Sequence, residues 1–166
     1  FEEVVATTSL NRPGASDYTD NFVARKYGKE KVDLIDPVVA PILEPTYGIM
    51  LYQEQVMQIA QVFAGFSLGK ADLLRRAMSK KDANEMSKMS EQFMEGSRQL
   101  GRDPQVAKRL FSMITKFAGY GFNKSHAYAY SSLAFQLAYF KTHYPQIFYD
   151  VMLNYSSSDY IRDAIE

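Results

Sequence analysis

The chain has 166 residues, 19 basic and 19 acidic side chains, no net charge, 46 % hydrophobic residues and no cysteine. That is enough for one domain with a real core, and it excludes a disulfide frame and thiolate chemistry. Zero net charge argues against broad, unspecific adhesion to nucleic acid but leaves room for one basic groove. No apolar run approaches the ~18 residues of a membrane span, and no signal peptide opens the sequence, so a cytoplasmic home is expected. The opening Phe1-Glu2-Glu3-Val4-Val5 already reads as helix, which suggests a piece of a longer polypeptide.

In chain order, Phe1 to about Thr8 reads as the end of a helix, stopped by Asn11-Arg12-Pro13-Gly14 because Pro lacks a donor and Gly tolerates the turn. Tyr18 to Lys26 is a short amphipathic helix ending at Tyr27-Gly28, and Lys29 to Asp36 a polar connector anchored by Val32, Leu34 and Ile35. Asp36-Pro37 opens a short helix to about Leu43 by the acid-cap, Pro-first rule. Thr46 to Tyr52 is the one strand-like run. Gln53 to Ala64 is a strong helix with Val56, Ile59, Ala60 and Phe63 on its buried face and Glu54 in a first turn that favours an acid. Gly65 ends it.

Next comes a basic helix, capped by Ser67 and running from Leu68 to about Ser79. Asp82 or Asn84 caps a long helix to about Leu100, whose apolar side is Met86, Met89, Phe93 and Met94. Asp103-Pro104 opens another, with Val106, Leu110, Met113, Ile114 and Phe117 in register. A glycine-jointed loop over Ala118 to Phe122 follows. The helix from Ala127 to His143 is apolar nearly all round, which predicts a central buried helix. Tyr144-Pro145 breaks it, Gln146 to Tyr155 is helical again, and the chain leaves through Ser156-Ser157-Ser158 into a final helical fragment. The predicted fold is all-α, a multi-helix globular piece of about nine or ten helices.

Two stretches can carry chemistry. Lys70, Arg75, Arg76, Lys80 and Lys81 put five basic residues into twelve positions, against the single acid Asp72. Leu68, Ala71, Leu74 and Met78 share one face of that helix and Asp72, Arg76 and Lys80 another. An apolar face would anchor the helix and hold the cations toward an anion; adjacent guanidiniums suit a phosphate chain because each offers a planar fork of donors. A merely solvated basic face fits the same pattern. The second stretch is Asn123-Lys124-Ser125-His126. A helix start there would offer backbone N–H groups, a charge, a hydroxyl and an imidazole, with Tyr130 one turn after His126 and able to stack on a base. A capped helix with a satisfied histidine and a core tyrosine fits equally well.

Other chemistry has no visible seat. No Asp-x-Asp pair stands ready for metals, the two histidines lie 17 residues apart, and Gly65 to Lys70 has the wrong layout for a phosphate-cradling Walker loop. By itself the chain looks equipped to hold an anion and not to transform it. Two readings follow from these residues alone: a helical nucleic-acid-binding module without catalytic activity, or a helical scaffold with solvated charges.

A third reading rests on a resemblance. Tyr47-Gly48-Ile49-Met50-Leu51-Tyr52-Gln53-Glu54-Gln55-Val56-Met57, Ala71-Asp72-Leu73-Leu74-Arg75-Arg76-Ala77-Met78-Ser79-Lys80-Lys81 and Tyr120-Gly121-Phe122-Asn123-Lys124-Ser125-His126-Ala127-Tyr128-Ala129-Tyr130 occur in that order. They resemble the fingers region of the bacterial C-family replicative DNA polymerases, the α subunits of DNA polymerase III. Arg12-Pro13-Gly14 and Leu137 to Pro145 fit the same family; its usual Pro after Arg-Pro-Gly is Ala15 here. The resemblance implies a fingers domain over 1–155, with 156–166 starting the following segment. It implies that Arg75 and Arg76 contact the triphosphate of the incoming dNTP. By the same resemblance Lys124, Ser125, His126 and Tyr130 face the nucleotide or nascent base pair. Arg12, Lys80 and Lys81 are expected as phosphate or nucleic-acid contacts. The family's catalytic aspartates lie in the palm, upstream, so no catalytic residue and no metal ligand is expected here and the piece alone should be inactive. Mg2+ would serve the full-length enzyme on those outside ligands. The implied partners are dNTP, primer–template DNA, the palm and, through it, the sliding clamp and replisome, with no membrane.

Overall fold

The computed structural model describes residues 1–80, 82–118 and 121–155. Lys81, Tyr120 and the fragment 156–166 lie outside them. The architecture is all-α, as expected, with nine α-helices among the described residues: α1 (Glu2–Leu10), α2 (Thr19–Lys26), α3 (Ala40–Leu43), α4 (Gln53–Ala64), α5 (Leu68–Lys80), α6 (Ala83–Gln99), α7 (Pro104–Phe117), α8 (Lys124–His143) and α9 (Pro145–Tyr155). Two compact units divide the chain, Phe1–Ala127 and Tyr128–Glu166.

Local chemistry sets most boundaries. The Asp82 carboxylate accepts from the N–H groups of Asn84 and Glu85, and Asp103 from those of Gln105 and Val106, so each acid fills donors the first helical turn leaves open. Gly65 takes φ +67 to close α4 and Gly101 φ +66 after α6, conformations that cost other residues a Cβ clash. Ala15 is buried, and its N–H donates to the Arg12 carbonyl at 3.1 Å. A proline there would lack that donor, so alanine closes the Arg12-Pro13-Gly14 turn with a bond of its own.

The first unit has two apolar cores. The larger gathers Val56, Ile59, Ala60 and Phe63 of α4, Leu74 and Met78 of α5, Phe93 of α6 and Leu110, Ile114 and Phe117 of α7. Its aromatic centre is Phe93, with Phe63, Phe66 and Phe111 at centroid distances of 6.1, 6.1 and 5.4 Å. The smaller core joins Val5, Ala6 and Leu10 of α1 and Phe22 of α2 to Ile49, Leu51, Tyr52 and Ala127. Two glycines mark close approaches. At Gly48, φ is +77 and a Cβ would stand 2.5 Å from the Asp33 carbonyl oxygen. At Gly96, inside α6, a Cβ would strike the Ala64 carbonyl oxygen at the end of α4.

Four expectations need correction. Thr46 to Tyr52 is not a strand: Thr46 ends a 3-10 turn, Tyr47 adopts φ +52, and only Tyr52 pairs, in an isolated parallel bridge with Phe122. Strand-like composition forms a ladder only where a second extended segment runs alongside. The helix expected from Asp36-Pro37 begins at Ala40, because the Asp36 side chain accepts from the Val38 N–H and makes a turn first. On α5, Ala77 takes the buried place expected for Leu68, which is 65 % exposed at the first residue of the helix.

The fourth concerns α8, which is not a buried helix. Leu133, Phe135, Leu137, Tyr139 and Phe140 are all exposed, Phe135 at 58 %. A helix that is apolar all round is buried only if neighbours stand on every side, and α9 is the other helix described in the second unit. There Tyr144 caps the break at Pro145: its ring lies 6.2 Å from that of Phe140, and its N–H donates to the Phe140 carbonyl.

Alanine exceeds glycine by ~1 kcal/mol in helix propensity, so Gly96→Ala would stabilise an unhindered α6. The clash with a backbone oxygen outweighs this, because overpacking typically costs ~1–3 kcal/mol. Urea unfolding of Gly96→Ala is therefore expected to show a lower midpoint than the parent; a higher midpoint would mean that α4 and α6 are not pressed together at this point.

Candidate functional site

The basic helix α5 is held down by Ala71, Leu74, Ala77 and Met78, all buried. This turns Arg75 and Arg76 outward, with side-chain exposures of 32 % and 64 %. Asp72 stands three and four residues before them, the spacing at which helical side chains meet. Its two oxygens divide between the pair: Arg75 Nε donates to Oδ1 at 2.8 Å and Arg76 Nε to Oδ2 at 2.7 Å. One carboxylate thus splints two guanidiniums through their inner nitrogens. The outer Nη atoms of both make no hydrogen bond among the described residues. A cluster of two charges with one counter-charge remains, and the splint does not use its outer donors. The Arg75 hydrogen bond comes first in holding the Asp72 carboxyl below its ordinary 3.8, desolvation opposes it, and the two guanidinium charges add. Lys80 is exposed at the last residue of α5, and Lys70 lies over the Phe66 ring at 4.2 Å.

The second stretch is assembled at the N-terminus of α4. The Gln53 N–H donates to the Phe122 carbonyl at 2.8 Å, and the Phe122 N–H approaches the Leu51 carbonyl at 3.4 Å. The Gln53 side chain donates to the Gly121 carbonyl. Glu54 Oε1 accepts from Asn123 Nδ2 and Oε2 from the Lys124 N–H, both at 2.9 Å, while Asn123 Oδ1 accepts from the His126 N–H at 2.9 Å. The start of α8 is therefore already capped, and by a charged group. It is not the open cradle of N–H groups that the sequence suggested. What it offers outward are side chains. Lys124 pairs with Glu2 at 3.3 Å and lies 5.5 Å from the centre of the Tyr52 ring. His126 is exposed, edge-on to Phe122 at 5.5 Å. Ser125 is exposed. The Arg12 guanidinium sits 4.7 Å over the opposite partner of this cluster, the Phe122 ring. Burial, with Glu2 and Glu54 adding, pushes the Tyr52 phenol well above its ordinary 10, so it stays neutral.

The structure thus brings Arg12 and His126 to the Phe122 ring, with Lys124 over the ring of Tyr52, the residue that bridges to Phe122. Arg75, Arg76 and Lys80 form a separate group on α5; no hydrogen bond, ion pair or ring contact joins them to the first group among the described residues. Tyr130 is exposed on the stretch of α8 belonging to the second unit. Glu2, Glu54 and Asp72 were not expected as part of either site. The acid three residues before Arg75 was the one available signal for Asp72; nothing local pairs Glu54 with Asn123, 69 residues away. Among the described residues no three or more His, Asp or Glu side chains gather to hold a metal ion, and no helix is long and apolar enough to cross a membrane.

Comparison with known proteins places these features in a family. Residues 1–101 match the model of the bacterial DNA polymerase III alpha subunit finger domain. The chain is 74 % identical over all 166 residues to the DNA polymerase III subunit alpha of Streptococcus pyogenes. It is 51 % identical over 160 residues, 95 % of its length, to the DNA polymerase III subunit alpha of Helicobacter pylori. It spans 16 % of the first relative and 13 % of the second.

The splint predicts a titration. A depressed carboxyl stays ionised to lower pH, so the Asp72 contacts are complete above the ordinary aspartate value of 3.8 and are lost only as pH falls through the depressed one. Carboxyl-detected NMR is expected to place the Asp72 midpoint below 3.8, and Arg75→Ala to raise it more than Arg76→Ala. Equal or reversed responses would contradict the order of the two contacts.

Proposed function

The chain belongs to the family of bacterial DNA polymerase III alpha subunit finger domains, and on that premise we propose that it grips the triphosphate of an incoming dNTP during template-directed primer extension. The observation that carries this reading is the splinted pair on α5. Arg75 and Arg76 present unpaired Nη donors from a rigid, half-exposed face. Two guanidinium forks can bond the oxygens of adjacent phosphates and offset charge that builds on them as the bond to the α phosphate exchanges. Asp72 lowers the pair's net charge but keeps the forks side by side, so part of the ordering cost of binding is met before the ligand arrives.

Lys124, Ser125 and His126 serve the nucleotide or nascent base pair through their side chains, and Tyr130 belongs to the same set. Arg12 and Lys80 contact phosphate or nucleic acid; Lys81 was expected to do so too and lies outside the described residues. The finger domain covers 1–155, and 156–166 starts the next segment. The partners are dNTP, primer–template DNA, the rest of the α subunit and, through it, the clamp and replisome, in the bacterial cytoplasm. Nucleotidyl transfer in the full-length enzyme draws on Mg2+; the acids described here do not fit such a site, so no step at a metal is assigned to this chain.

In the full-length polymerase, Arg76→Ala is expected to reduce kcat/KM for dNTP roughly 30- to 800-fold, the equivalent of ~2–4 kcal/mol for a lost charge-assisted contact in the transition state. Steady-state primer extension measures it. Incorporation at the parent rate would remove the triphosphate role from α5.

A further inference from the structure

We propose that Glu54 is a positioning residue for the nucleotide site: its carboxylate fastens the loop and first helical turn that carry Lys124, Ser125 and His126. The inference rests on the reading that these residues face the nucleotide. In isolation, an acid at the second residue of α4 is explained by its own helix dipole. The geometry shows a further use. Both carboxylate oxygens turn to a different helix, one to the Asn123 amide and one to the Lys124 N–H, at 2.9 Å each. Asn123 passes the restraint on, since its own oxygen takes the His126 N–H.

The loop before α8 has other ties as well. Gln53 and Leu51 hold Gly121 and Phe122 through the backbone and the Gln53 amide. Beyond Phe122, Lys124 pairs with Glu2 at 3.3 Å and lies over the Tyr52 ring, and buried Ala127 seats the turn in the smaller core. Loss of Glu54 would leave the loop attached and Ala127 seated, but would release Asn123 and the Lys124 N–H and so let the side chains of Lys124, Ser125 and His126 re-aim. It would also bare the positive end of that helix, which the carboxylate now neutralises. An anion could then settle on the opened N–H groups, away from its proper place. Glu54 is half-buried. Its removal should thus alter aim more than stability.

The test uses the full-length polymerase with Glu54→Ala, Glu54→Gln and Asn123→Ala. Glu54→Ala is expected to raise KM for dNTP about tenfold with kcat changed less than about threefold, as for loss of a charge-assisted contact that orders the binding site. Primer–template affinity and thermal midpoint should stay near the parent values. Glu54→Gln keeps one acceptor oxygen and should fall between. Glu54→Ala and Asn123→Ala combined should cost no more than the larger single change, because the two act through one network. An unchanged KM in Glu54→Ala overturns the proposal. So does a loss shared equally by KM, DNA affinity and thermal midpoint, which would make Glu54 an ordinary structural residue. Arg76→Ala in the same assay separates the two ideas. If it lowers kcat/KM and Glu54→Ala leaves KM unchanged, only the positioning role fails; if Glu54→Ala raises KM and Arg76→Ala keeps the parent kcat/KM, the role of α5 fails and that of Glu54 stands.

Discussion

The larger core of the first unit leans on α4. Its buried face supplies Val56, Ile59, Ala60 and Phe63 to the larger core, and both of its ends are used. At the C-terminal end the Ala64 carbonyl is approached so closely by α6 that only glycine fits at position 96. At the N-terminal end the residues from Leu51 to Glu54 seize the loop before α8. Gln55 locks that end. Its oxygen accepts from the Leu51 and Tyr52 N–H groups, and its amide donates to the Ile42 carbonyl and the Thr46 hydroxyl. A buried amide with all these partners is costly to disturb, since each stranded group would lose its bond without regaining water. The two candidate groups of cations are thus carried by one rigid element: α5 follows α4 after a short turn, and the start of α8 is tied to its first residues.

A chain of zero net charge can still present strong local charge, and the pairing pattern shows how. Lys26 is matched by Glu3, Arg25 by Glu30 and Arg109 by Asp33, one acid to one cation. On α5 a single acid serves two cations. The imbalance is local and sits where the apolar face of the helix fixes its direction. Exposed ion pairs add little to stability, so the value of the Asp72 contacts lies in orientation.

Much of the fold was legible because helix signals are local. The acid caps at Asp82 and Asp103, the glycine stop at Gly65 and the 3.6-residue spacing on α4 and α7 each act within a few residues. The failures have the opposite character. Whether Thr46 to Tyr52 forms a strand depends on a partner far along the chain, and here that partner supplies one bridge. Whether α8 is buried depends on what stands around it, which its own composition cannot state. The site divides in the same way. Arg75 and Arg76 are visible as a run of cations; the Glu54–Asn123 contact joins residues 69 apart in sequence and is created by the fold alone.

That contact also changes how the two groups divide the work. A bare helix start beside a lysine would compete for phosphate with the guanidiniums of α5. With Glu54 in place, an anion arriving at α8 meets a carboxylate and N–H groups already engaged. On the proposed reading, phosphate is therefore left to Arg75 and Arg76, whose outer donors are free. The start of α8 is left with an imidazole and an ammonium set beside aromatic rings, groups suited to a planar, weakly polar face and to single hydrogen bonds. On that proposal, the acid that steadies the turn also makes it a poor phosphate site, and positioning and selectivity would come from one side chain.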